Sequence, residues 1–124
     1  MIASEKGYIV LVETLLELEA QVNHRDSHQR TPLFYVIEAP AENLDVVLLL
    51  IDKGADVNAT SIDGYTPLLK ASQKRHHEIL ENLLSRGANH RQILLSNGNS
   101  ALHVACENGD LESVIVLINA GADL

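Results

Sequence analysis

Apolar residues return along this chain in short clusters at helical spacing, separated by polar stretches rich in Gly, Asn, Asp and Ser. Val46, Val47, Leu49, Leu50 and Ile51 make one cluster, and Ile79, Leu80, Leu83 and Leu84 make another. In each, steps of three and four gather the side chains on one face of a helix. The clusters superimpose on one another when the chain is shifted by about 34 residues. Val12, Val47, Leu80 and Val114 then share one position, and Leu15, Leu50, Leu83 and Leu117 share a second. Leu16, Ile51, Leu84 and Ile118 fall at a third, and Leu33, Leu68 and Leu102 at a fourth. No single unit could bury such a ladder alone, whereas stacked units make a continuous core from it.

A second set of markers keeps the same period. Thr31-Pro32-Leu33 returns as Thr66-Pro67-Leu68 and as Ser100-Ala101-Leu102, and Gly54, Gly87 and Gly121 follow the later apolar cluster of each unit. Thr31 and Thr66 are expected to cap the first helix of a unit with a side-chain oxygen, with Pro32 and Pro67 at the first helical position. The glycines close the second helix in a left-handed conformation. Pro40 should end the first helix of its unit, because the residue before a proline avoids the helical region. Two extra residues around Ala39-Pro40-Ala41 lengthen the turn between the two helices of that unit.

Gly54-Ala55-Asp56-Val57-Asn58-Ala59 with Asp63-Gly64-Tyr65-Thr66-Pro67-Leu68, and Ala101-Leu102-His103-Val104-Ala105 with Glu107-Asn108-Gly109-Asp110, resemble the ankyrin repeat. The resemblance runs the whole chain. It implies an all-α solenoid of stacked helix-turn-helix pairs joined by β-hairpin-like turns. The single domain, 1–124, would hold a partial repeat at about 1–25, repeats at 26–60 and 61–94, and a partial one at 95–124. Glu19 stands where this pattern has a helix-ending glycine, and Gln29 and Arg75 replace glycines too. A left-handed conformation costs an L-residue roughly 1–2 kcal/mol. One residue is added between Gly87 and Gly98, lengthening the turn into the last repeat. The repeat pattern is incomplete at both ends, so a segment of a longer array is expected, with Val10, Leu11 and Val12 at one end and Val114, Val116 and Ile118 at the other unprotected.

Composition narrows the function classes. The 46% apolar content suffices for a core, and with 3% aromatics that core is aliphatic. A net charge of −8 argues against nucleic acid or an anionic membrane surface and favours a basic partner. The longest apolar run is far below the roughly 20 residues that span a bilayer. No leader pattern is present in the sequence, and the lone Cys106 has no partner for an internal disulfide. Both features fit a cytoplasmic, or more broadly intracellular and nuclear, protein.

The resemblance implies partner binding through the hairpin turns and the exposed side of the first helices, which line a concave groove. Carried over by position, the first-helix candidates are Glu5 and Lys6, Glu38 and Ala39, Gln73 and Lys74, and Glu107 and Asn108. Glu recurs at one site in three of four repeats, and such a row would attract a basic, or mixed basic and apolar, protein segment. Glu is also simply a good helix former at an exposed site. In the turns, Ser27, His28 and Arg30, then Ile62, Asp63 and Tyr65, then Ile93, Leu94, Leu95, Ser96 and Asn97 project outward. Apolar residues at a loop tip form the centre of an interface with a polar rim. One of Ile93, Leu94 and Leu95 is expected to fold back into the core, since His90 takes an otherwise apolar site.

No enzyme chemistry is visible. There is no Gly-rich phosphate loop and no nucleophile elbow, and no cofactor is implied. His103 is expected to bond turn backbone, as the resemblance implies. His24 with His28 and His76 with His77 lack a third ligand nearby, which argues against a metal site. Lys74-Arg75-His76-His77 reads as a solvated basic turn, and Cys106 as a buried thiol. Asn58 resembles asparagines hydroxylated in some repeats of the family, against the simpler reading that it braces the turn. Two functions stay open: a protein-interaction scaffold, and a spacer or regulatory segment packing on neighbouring repeats or a catalytic domain. Leu48 and Ile115, at outer sites, fit self-association or packing on another domain.

Overall fold

The computed structural model describes residues 22–94 and 96–121. Among the described residues six α-helices form three pairs: α1 (Pro32–Glu38) with α2 (Leu44–Asp52), α3 (Pro67–Lys74) with α4 (His77–Ser85), and α5 (Ala101–Asn108) with α6 (Leu111–Asn119). The first helices stack as α1 on α3 on α5, and the second helices as α2 on α4 on α6. Among the described residues the extended chain makes a single isolated bridge, antiparallel, between Ile93 and Ser100.

The ladder supplies the core. Leu33, Leu68 and Leu102 are buried, as are Val47 and Leu80, and Leu50, Leu83 and Leu117. Full burial of each such side chain contributes on the order of 1.5–3 kcal/mol. Burial weakens outward from the middle pair: Ile51 and Leu84 are partly buried, whereas Ile118 is 54% exposed. Glu5, Lys6, Val10 to Val12, Leu15, Leu16 and Glu19 lie outside the described residues.

Local chemistry sets the helix ends. Thr66 Oγ1 accepts from the Leu69 N–H at 3.3 Å, and Ser100 with His103 makes a reciprocal capping box. Thr31 departs from the expected pattern. Its side chain caps nothing, because the Phe34 N–H donates to the Thr31 carbonyl at 3.0 Å instead, and Oγ1 is buried with no bond to any described residue. α1 stops at Glu38 with Ala39 extended before Pro40, as the proline requires. Gln29 and Arg75, the two described residues that stand in glycine positions, both sit at φ 62°. They accept the left-handed conformation, and Arg75 offsets part of its cost by donating to the Asn108 carbonyl.

The lengthened turn after α1 reaches into the next repeat. Glu42 Oε2 accepts the N–H groups of Glu78 and Ile79 at 3.0 and 3.1 Å, in the first turn of α4. The residue at the cap position of that helix, His76, makes no side-chain cap bond. A carboxylate borrowed from the preceding repeat does that work, favoured by the helix dipole. His76 itself is 5% exposed with Nε2 3.0 Å from the Ala39 carbonyl, so the basic turn is not fully solvated: its histidine is a buried joint between repeats.

Two stability predictions follow from these contacts. Glu42→Ala should lower stability by about 1–2 kcal/mol, read as a fall of roughly 3–8 °C in Tm by circular dichroism, with Glu42→Gln intermediate. Gln29→Gly should raise stability by up to about 1 kcal/mol in urea unfolding, because it removes the left-handed strain.

Candidate partner-binding surface

Three turns precede the first helices, and short polar bonds shape each. Asp26 Oδ1 accepts the N–H groups of His28 and Arg30, both at 2.9 Å, and the Tyr35 hydroxyl donates to Oδ2. The Tyr35 bond first, then the Arg30 N–H, holds the Asp26 carboxyl below its ordinary range, and the same bond raises the Tyr35 hydroxyl. In the second turn the Ser61 N–H donates to the Tyr65 carbonyl at 2.9 Å. In the third the Leu94 N–H donates to the Asn99 carbonyl at 2.8 Å. That pair encloses one residue more, so the additional residue read from the sequence is absorbed at the tip.

The turns are stitched together. The Ile62 N–H donates to the His28 carbonyl at 2.9 Å. Asn23 Nδ2 donates to the Gly54 carbonyl while Oδ1 accepts the Asp56 N–H, and Asn58 repeats the arrangement one repeat on, with Gly87 and Asn89. Bracing the turns therefore accounts for Asn58 at its position.

The residues singled out by sequence fall in different surroundings. Ile62 and Ile93 project from their turns, 63% and 50% exposed. Leu94 does not project: it is 4% exposed in the core. It is the residue that folds back: its N–H pairs with the Asn99 carbonyl as that of Ser61, also buried, pairs with the Tyr65 carbonyl. Leu95 lies outside the described residues. Gln73, Lys74 and Glu107 are exposed on the first helices.

Glu38, Asp63, Tyr65 and Gln73 come together around two cations. Arg30 lies 3.5 Å from Glu38 and 3.6 Å from Asp63. Lys70 Nζ lies 3.9 Å from Glu38, donates to Gln73 Oε1 at 3.0 Å and sits 4.0 Å from the centroid of the Tyr65 ring, whose hydroxyl accepts from Gln73 Nε2 at 3.1 Å. Burial, opposed by the nearby Glu38, holds the Lys70 ammonium below its ordinary range. The sequence reading missed Lys70. Its counterparts in the neighbouring repeats are Tyr35 and Val104, and a charge at a position otherwise apolar or aromatic is the signal that could have found it.

The expected row of free carboxylates is thus reduced. Glu38 is paired, Gln73 holds the third site, and Glu107 remains open. Cys106 is exposed rather than buried. Its counterpart Ser72 is fully buried under the next repeat and donates to the Ala101 carbonyl, whereas no described element covers α5 on that side. No described helix is long and apolar enough to cross a membrane.

A family model for ankyrin repeats in three copies matches residues 1–61 and 41–124, which together run the length of the chain. The chain belongs to the ankyrin repeat family. The ankyrin repeat protein FPV031 of Fowlpox virus is 42% identical over 82 residues, 64% of this chain and 24% of that protein. Human Rabankyrin-5 is 30% identical over 123 residues, 99% of this chain and 10% of its own length. An ankyrin repeat and KH domain-containing protein of Caenorhabditis briggsae, CBG24701, is 36% identical over 124 residues, 98% of this chain and 5% of its length. The chain therefore spans no more than about a quarter of any of these three relatives. Ankyrin repeats are in general protein–protein interaction modules, and the fold described above is of that kind.

In the ankyrin frame, Lys70 is a buried cation on the first helix of the middle described repeat. Its folded-state pKa is depressed, so between that value and the ordinary 10.5 the unfolded chain binds more protons. Stability should therefore rise with pH through that window. Thermal melts at pH 7 and pH 10 should show wild type gaining on Lys70→Met as pH rises, whereas a constant difference would contradict the depressed pKa.

Proposed function

We propose that this ankyrin repeat protein is an interaction scaffold that holds a partner segment across its turns and the concave side of its first helices. The observation that carries this reading is the pair of aliphatic side chains, Ile62 and Ile93, left open on successive turns beside the Arg30–Glu38–Lys70–Tyr65–Gln73 cluster. Large exposed apolar side chains on rigidly bonded turns, rimmed by polar groups, form the centre of an interface. Gln73, Lys74, Asp63 and Glu107 supply the rim. The family's general role supports the reading, and so does a turn framework fixed by backbone bonds, which costs little ordering on binding. An intracellular setting fits the lone Cys106.

The spacer alternative has its own support on α6. Leu111, Ile115 and Ile118 are 67%, 46% and 54% exposed, and His103 and Cys106 lie open where their counterparts Leu69 and Ser72 are buried beneath the following repeat. That face suits another layer, whether a neighbouring repeat or another domain.

Segments selected from a displayed library of 15-residue peptides provide the test. Ile62→Asp with Ile93→Asp should weaken the selected peptides by about tenfold or more, with Tm nearly unchanged. Undiminished affinity would remove the turns from the binding surface. Ile115→Lys with Ile118→Lys should leave peptide affinity alone and reduce any self-association seen by sedimentation.

A further inference from the structure

We propose that the centre of the concave side, at Arg30, Lys70 and Lys74, receives a carboxylate: an Asp or Glu side chain of the bound segment. This rests on the reading of the turns and first helices as the binding surface, and it assigns that surface a ligand chemistry opposite to the one the row of glutamates suggests.

The geometry points there in three ways. First, the two inner cations are incompletely matched. Charge-assisted N–H···O bonds run at about 2.7–2.9 Å. The contacts of Arg30 with Glu38 and Asp63 are 3.5 and 3.6 Å, and that of Lys70 with Glu38 is 3.9 Å. Glu38 is thus shared between two cations and close to neither. An ammonium has three donors. Lys70 places one on the neutral amide oxygen of Gln73 and faces the Tyr65 ring, so no carboxylate of the described residues lies within hydrogen-bond distance of it. Lys70 is also 8% exposed, and a buried charge without a bonded counter-ion is costly. A carboxylate arriving from a partner supplies the missing acceptor.

Second, Lys74 follows Lys70 by one helical turn, on the same face of α3, and is exposed. Three cations therefore stand against two carboxylates, Glu38 and Asp63. Third, the chain's acidity lies elsewhere. Among the described residues, the second helices and the turns leading into them carry Glu42, Asp45, Asp52, Glu78, Glu81, Asp110 and Glu112 against Lys53, Arg75 and Arg86. The hairpin turns and first helices carry five cations against five carboxylates. Screening over about 8 Å at physiological salt makes the local balance at Arg30, Lys70 and Lys74 against Glu38 and Asp63, not the −8 total, the field that a docked side chain meets. With Ile62 and Ile93 exposed on the turns, the fitting segment carries an acidic residue among aliphatic ones.

Displayed 15-residue peptides selected on wild-type protein, followed by affinity measurements on single variants, decide the matter. Enriched sequences should share an Asp or Glu, and Lys74→Glu should weaken them about tenfold. Glu38→Gln should tighten them several-fold, because it removes the competing carboxylate. A peptide with that acidic residue changed to its amide should lose sensitivity to Lys74→Glu. Enriched Lys or Arg with weakening by Glu38→Gln would overturn this inference while leaving the concave surface as the binding site. Peptides indifferent to Ile62→Asp and Ile93→Asp would overturn both.

Discussion

The structure depends on one constraint: an ankyrin repeat cannot bury its own aliphatic stripe. Each helix pair offers one face to the pair before it and another to the pair after it, so Leu50, Leu83 and Leu117 are buried only because all three pairs are in register. The middle pair, α3 with α4, has neighbours on both sides and carries the deepest burial, Lys70 and Ser72 included. Where described cover ends, the same positions turn outward, as the contrasts of Ser72 with Cys106 and of Leu69 with His103 show.

Register also governs the polar contacts that tie the turns to the stack. Asn23 and Asn58 tie consecutive turns, Glu42 caps the following repeat's α4, and His76 joins two inter-helix turns. These bonds cross from repeat to repeat, so the turns move with the helices beneath them. Ile62 and Ile93 are consequently presented at fixed spacing on a scaffold that needs little reordering to bind. The cluster beneath them is of a different kind. Its ion pairs are long and shared, and its most buried cation is bonded to a neutral amide.

Much of this was legible in the sequence because it is periodic. The period placed the ladder, the capping Thr66, the closing glycines, the left-handed Gln29 and Arg75, and the end of α1 before Pro40. What periodicity could not supply is what differs among repeats in three dimensions. Thr31 matches Thr66 by pattern, yet its helix start bonds to the backbone carbonyl and leaves the hydroxyl unused. Leu94 belongs to an apolar turn by sequence, but it takes the buried position that Ser61 holds one repeat earlier. Cys106 sits at a small-residue site whose burial is provided by the next layer, not by its own helix. Glu38 reads as one of a row of similar carboxylates, but Arg30 reaches it from the turn of its own repeat and Lys70 from the next repeat. Pairwise contacts between repeats escape a reading made one repeat at a time.

The most direct measurement of the central claim is amide and methyl chemical-shift mapping by NMR, with a selected binding peptide titrated into the isotopically labelled protein. Binding across the turns and first helices predicts perturbations concentrated at Ile62, Asp63, Gln73, Lys74 and Ile93, with α2, α4 and α6 nearly still. Perturbations confined to the second helices, or to Leu111, Ile115 and Ile118 on α6, would contradict it and give the protein's contacts to the stacking face instead.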